Sequence, residues 1–255
     1  MKIYREDFNS EKHLLGELSP DSANLVEWIS KKILGKVTET TEYGIEQQIH
    51  DLIIKNVRYV NTESRSEHTI EGVFLNKQAV CEGIAKAVKF LLNKKSVECE
   101  IVTGNAKLGA DEEHHAWNVV KIDGAWYHLD VTWNLNLTTN ETIRYDYFNL
   151  SDDEIQKDHN IDHKFVKCET PRSCYYYRNN LVMHTQEKYR EFVLESVRKN
   201  RNDFVIKLPS AKNPEQVYKT VMDNTLRILN HPFSPYSRVN VEYNPHQLVF
   251  RVILS

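Results

Sequence analysis

The chain has 255 residues, 40% of them hydrophobic, with 33 basic and 36 acidic side chains, a net charge of −3 and a pI near 6.4. That is enough for one large domain, or for a medium domain with a small companion. The charges are intermixed, with no run of five of one sign, which argues against nucleic acid or an anionic membrane as the main partner.

Residues 1–7 turn acidic at once, and no segment approaches the ~18 consecutive apolar residues of a membrane span. The expectation is a soluble, cytoplasmic protein. Cys81, Cys99, Cys168 and Cys174 form neither a disulfide framework nor a closely spaced metal or redox pair, so reduced thiols and no cofactor or metal are expected.

Leu25, Val26, Ile29 and Ile33 recur at helical spacing and predict an amphipathic helix ending near Gly35. A second helix is expected over 44–57, with Ile45, Ile49, Ile53 and Ile54 on one face, followed by Tyr59, Val60 and a polar loop over 61–67. A third, over 80–93, carries an apolar stripe of Ile84, Val88, Leu91 and Leu92 and places Lys94 and Lys95 at its electronegative end. Cys81 lies in its first turn.

The period then changes to two. Residues 98–103 read as a strand, followed by a glycine-containing loop to Glu113. Strands are expected over 114–121 and 125–133, with Asp123-Gly124 between them as a strong hairpin signal. The polar stretch 140–165 holds a short helix at 152–157, and a further hairpin is read from 174–177 and 181–183 about Asn179-Asn180. Beyond it come a helix (187–197), a strand (204–208), a helix opening at Asn213-Pro214-Glu215 and a hairpin of 239–243 with 248–254. This order suggests domains at 1–184 and 185–255, the second a small α/β unit.

A cysteine attacks as thiolate, a form favoured by the unpaired N–H groups of a helix N-terminus. Cys81 has that placement, and Gly83 would allow close backbone approach to a substrate carbonyl. With a two-residue turn at Asp123-Gly124, Ile122 faces Ala125, so Trp117 faces Asp130 and His115 faces Thr132. His115 and Asp130 then share one face as diagonal neighbours, joined by His128, while His114 points the other way. A carboxylate that fixes the tautomer of a histidine, and a histidine that takes the thiol proton, complete a nucleophilic triad.

Three blocks carry a resemblance: Ala79-Val80-Cys81-Glu82-Gly83, His115-Ala116-Trp117-Asn118, and Trp126-Tyr127-His128-Leu129-Asp130-Val131-Thr132-Trp133. In order and spacing they resemble the bacterial transglutaminase-like superfamily, with a looser likeness over 45–160. The resemblance implies an α+β fold with a papain-like core and N-terminal helices, Cys81 as nucleophile, His115 as base and then acid, and Asp130 as the orienting carboxylate. Relatives often carry an aromatic where this chain has Ile84, and another near Glu71. The second departure leaves the side chain of the oxyanion hole unassigned, with Gln78 a candidate.

Glu82 and Trp117 are candidate substrate-binding residues. The bland readings are a core position for Trp117, a solvated loop rather than a ligand pair for His159 and His163, structural thiols for Cys168 and Cys174, and a backbone partner for Asn118. The expected substrate is a protein or peptide, attacked at an amide with a thioester intermediate and hydrolysis favoured over transfer. The rival readings are cross-linking, acyl transfer from a thioester cofactor, and a non-catalytic peptide-binding domain with a vestigial triad.

Overall fold

The computed structural model describes residues 10–108, 111–139, 142–163, 166–210, 214–230 and 234–255. The chain divides into two compact units, Met1–Cys174 and Tyr175–Ser255. The boundary expected at 184/185 therefore falls inside the second unit. The physical reason is local: Lys207 N donates to Leu181 O (3.0 Å) and Met183 N to Lys207 O (2.8 Å), tying 181–183 to a strand of that unit.

In the first unit the N-terminal helices are α1 (Glu11–Gly16), α2 (Pro20–Leu34) and α3 (Glu42–Asn56). Each opens on a side-chain cap, Ser10, Ser19 and Thr41 respectively, and α2 adds a proline in its first turn, where the missing N–H costs nothing. Strands β1 (Arg58–Tyr59) and β2 (Gln78–Ala79) pair in parallel and lead into α4 (Cys81–Lys94). The predicted loop 61–67 runs into a 3₁₀ turn at Arg65–His68.

A five-stranded antiparallel sheet follows, in the order β6-β5-β4-β3-β7, from β3 (Cys99–Leu108), β4 (Asp111–Ile122), β5 (Ala125–Leu129), β6 (Phe148–Leu150) and β7 (His159–Ile161). The β4–β5 turn has positive φ at both Asp123 (51°) and Gly124 (83°), the conformation whose twist matches a two-residue hairpin. Its register is the expected one, Ile122 against Ala125 through Asn118 against Leu129.

Two expectations fail here. Within the loop expected between Thr103 and Glu113, residues 104–108 and 111–112 are instead strand, because β3 and β4 stay paired out to Leu108 and Asp111; Gly109 and Ala110 lie outside the described residues. The strand expected to reach Trp133 stops at Leu129, and the chain turns into α5 (Val131–Leu137) with Asp130 as its N-cap. The short helix α6 (Asp152–Ile155) carries a full capping box between Ser151 and Glu154.

The second unit holds α7 (Tyr175–Arg178), α8 (Gln186–Arg198), β8 (Asp203–Lys207), α9 (Pro214–Leu229), β9 (Val239–Asn244) and β10 (Val249–Leu254), with an antiparallel sheet ordered β8-β10-β9. The hairpin read at 174–183 is a correction: its first arm is the helical turn α7. Asn213, read as the start of α9, lies outside the described residues. The unit has its own core, built from Val193, Phe204, Ile206, Phe250, Val252 and Leu254 among others. No described helix is long and apolar enough to cross a membrane.

Candidate active site

Cys81 opens α4, whose Ile84, Val88, Leu91 and Leu92 are buried as the 3.6-residue stripe requires. The N-cap is Val80, and no side chain caps this helix end, whereas Ser, Thr or Asp caps α1, α2, α3, α5, α6 and α8. A first helical turn has N–H groups with no intrahelical partner, so this end faces Cys81 with unclaimed donors. Val80 N itself donates to Glu67 O (3.1 Å). Gly83 serves that packing and not substrate approach, since a Cβ there would collide with the Glu67 carbonyl. Asn118 of β4 donates to Ala85 O (3.0 Å), fastening the helix to the sheet through the backbone partner read for it.

Opposite stand two elements that the hairpin brings together. His115, buried on β4, points Nε2 at Asp130 Oδ2 at 2.7 Å. Cys81 is near enough to the same ring to raise its basicity, and with Nε2 taken by Asp130 the atom left for the thiol is Nδ1. Asp130 is fully buried; its N–H donates to Tyr147 O (2.9 Å), and its Oδ1 accepts from Trp133 N (3.0 Å) as the cap of α5. Burial opposes charge on both groups, but each outweighs that for the other: the His115 imidazole is pushed up to about 10 by Asp130 and then Cys81, and Asp130 is held well below the usual carboxylate range by His115 and His159.

His159 is the residue that the sequence reading missed. It is no solvated loop: the side chain is fully buried on β7, with Nε2 3.1 Å from Asp130 Oδ2 and Nδ1 2.7 Å from Asp158 Oδ1. Tyr147 Oη donates to the other Asp158 oxygen at 2.7 Å. Pairing of β7 with β3 sets this position, and it needs Gly104, where a Cβ would run into the Asn160 carbonyl. His163, the partner proposed by spacing, is exposed.

The remaining candidates separate from the triad. Trp117 is 1% exposed, stacked on His115 (5.9 Å between ring centres) with Nε1 donating to His128 Nδ1, so it backs the histidine and lines no cleft. Glu82 pairs with His68 (3.0 Å) and Lys86 (2.8 Å). The Gln78 amide is engaged by Glu67 and Arg58, away from an oxyanion role. His114 is exposed, as the strand parity requires. Tyr59, expected from the sequence only to lead into the polar loop, lies half-buried at the end of β1; burial first, then the charges of Cys81, Glu113 and Asp130, hold its proton on.

Two trios offer donor types that a metal ion uses, His115-Asp130-His159 and His128-Asp152-Cys168. Ligand atoms of a tetrahedral zinc lie about 3.3 Å apart, given bonds of about 2.0–2.1 Å. The 2.7 Å His115–Asp130 contact is shorter and is a shared proton. In the second trio His128 accepts from Trp117 and gives its own proton to Asp152 at 3.0 Å, while Asp152 accepts from Cys168 N at 3.1 Å, a brace between β5 and α6.

Residues 30–131 match the family profile of the Transglutaminase-like superfamily. This segment resembles a transglutaminase-like core. It holds Cys81, His115 and Asp130 and ends one residue past the last. Among curated proteins the chain is similar to the human kyphoscoliosis peptidase, with 29% identity over 131 residues, 46% of this chain and 20% of that protein. The chain thus spans about a fifth of the length of that relative. Among solved structures it is similar to a TGase, at 15% identity over 50% of this chain and 36% of the other with a TM-score of 0.41. It is also similar to a candidate cysteine protease of Cytophaga hutchinsonii, at 25% identity over 48% and 44% of the chains with a TM-score of 0.37.

Proposed function

We propose that the protein is a thiol enzyme that cleaves amide or peptide bonds through Cys81, with His115 and Asp130 as its proton-transfer pair. The observation that carries this reading is the His115–Asp130 ion pair held against α4, the one described α-helix of residues 30–131 whose N-terminus has no side-chain cap. Cys81 Sγ attacks the carbonyl carbon, and the oxyanion gathers on the free N–H groups of that helix end. His115 gives its proton to the leaving nitrogen, the C–N bond breaks, and a thioester remains. Water then attacks the thioester, losing a proton to His115, and the carboxylic acid leaves with Cys81 restored.

Hydrolysis is favoured over transfer because the reaction needs only water as second substrate. Tyr59 is a neutral donor on the Cys81 side and a candidate for the oxyanion side chain that Gln78 does not supply. All four cysteines are free, which suits a reducing compartment such as the cytosol.

Activity profiling on peptide, glutamine and cell-wall-like amides beside Cys81→Ala tests the reading, together with iodoacetamide labelling near neutral pH. Cys81 should alkylate selectively over Cys99, Cys168 and Cys174, all buried. Amide turnover that persists in Cys81→Ala, or a Cys81 no faster than a free thiol with no substrate turned over, rejects it. A glutamine substrate consumed only when a primary amine is present would select cross-linking instead.

Filling the open helix end makes a second test. Val80 is buried, so in Val80→Ser the cap, worth about 1 kcal/mol, is offset by about 1.5 kcal/mol or more of lost apolar burial, and stability should not rise, while turnover should slow because the serine oxygen takes N–H groups meant for the oxyanion. Equal turnover in a folded Val80→Ser protein would remove those donors from the mechanism.

A further inference from the structure

His159 has a geometry that a triad does not need. Both its ring nitrogens face carboxylate oxygens, Nε2 on Asp130 (3.1 Å) and Nδ1 on Asp158 (2.7 Å). A carboxylate without its proton only accepts, so both nitrogens must carry protons for both contacts to hold, and the ring is then a cation. The alternative leaves a lone pair facing a buried carboxylate. Asp158 is braced in turn by Tyr147 Oη (2.7 Å).

The cation does not stand apart from the triad. Its Nε2 is on Oδ2, the same Asp130 oxygen that takes His115 Nε2, and the two imidazole centres are 5.5 Å apart. Sharing Oδ2 removes electron density from the bond to His115, and a second positive ring at that distance repels the imidazolium.

We infer that His159 is a positioning residue whose charge sets how tightly Asp130 holds the His115 proton, so that His115 can release it to a leaving group. This rests on the thiol-enzyme reading for its consequence in turnover, but not for its electrostatics. The charged groups facing His115 are Asp130 from the β5–α5 junction, Cys81 from α4 and His159 from β7. Those facing His159 are Asp130, Asp158 and His115, with Trp117, Trp133 and Tyr147 supplying the rest of its wall.

The first test needs no variant. Ring-nitrogen NMR of the wild-type chain at pH 7–8 should show His159 protonated on both nitrogens; a neutral His159 there overturns the inference. The second compares His159→Gln, which keeps a donor toward Asp130 without the charge. The upper midpoint of the Cys81 alkylation profile, and the His115 resonance itself, should move up by about one pH unit, the low end of what a neighbouring charge does.

Asp158→Asn should move it in the same direction by less, and should have no further effect in the His159→Gln background. A merely structural histidine would lower the melting temperature or the rate at every pH and leave the midpoint in place, and that result overturns the inference. The two readings fail separately. A wild-type Cys81 with no activated alkylation rejects the enzyme, while the NMR arms still decide the charge on His159 and its effect on His115. Should His159→Gln not fold, Asp158→Asn and the wild-type spectrum carry the decision.

Discussion

His115→Ala is expected to slow turnover by roughly 10³-fold or more, as loss of a triad base does elsewhere, while His114→Ala leaves it within a few-fold. The two residues are adjacent, equal in type and opposite in placement: His115 is buried at 2.7 Å from Asp130, and His114 is exposed on the other face of β4. Lacking a known substrate, the rate of Cys81 alkylation at pH 7 serves as the readout. His128→Ala is the third arm. It shares the His115 face but spends its nitrogens on Trp117 and Asp152, so it should cost stability more than rate. Melting curves on all three separate unfolding from lost chemistry. A folded His115→Ala protein of near-normal reactivity would sink the triad assignment, as would a folded His114→Ala protein that is inert.

Removing the carboxylate should have the largest effect on stability. Asp130 is fully buried and holds His115, His159 and the first turn of α5 at once. Asp130→Ala leaves two imidazole rings buried without their anion and should cost about 3–5 kcal/mol, the scale of breaking a buried ion pair from one side. Asp130→Asn keeps the cap and should be milder in stability while matching His115→Ala in rate.

The pH dependence gives the sign. The folded value of His115 is raised from 6.5 to about 10, so its stabilisation is complete below pH 6.5 and is lost as pH rises through about 10. The folded value of Asp130 is depressed, so its share is complete above its ordinary 3.8 and is lost as pH falls below it. Wild-type stability should therefore decline from pH 6.5 towards about 10, and Asp130→Ala should flatten that decline. A wild-type curve flat across the alkaline range would mean that His115 and Asp130 are not paired as charges in solution.

What was legible in the sequence was local. Asp123-Gly124 fixes a turn type, the turn type fixes the β4–β5 register, and the register brings His115 towards Asp130 without any knowledge of the rest. The stripe on α4 is equally local, and it put Cys81 in a first turn. The failures occurred where tertiary context decides. Val131, Thr132 and Trp133 have strand-forming side chains, yet Asp130 caps a helix over them, because its backbone is pinned to Tyr147 and its side chain is free to take Trp133 N. Tyr175 to Tyr177 looked like strand for the same reason and form a helical turn. His159 was invisible because its partners are Asp130, 29 residues away in sequence, and a β3 edge opened by a missing side chain at Gly104.

The open end of α4 also ties occupancy to folding. The other α-helices with a described N-cap, α1, α2, α3, α5, α6 and α8, are each closed by a side chain of their own, so those helices are finished when the protein is folded. The helix that begins at Cys81 is finished only when something else brings an oxygen to it. A substrate carbonyl or product carboxylate bound non-covalently at that point supplies the missing acceptor and is held by the native state alone, so by mass action it also raises the free energy of unfolding. The segment from Glu67 to Gly83, which anchors this helix end through Val80 N and the bare face of Gly83, is thus the part of the first unit whose local rigidity should rise with each substrate bound and fall with each product released.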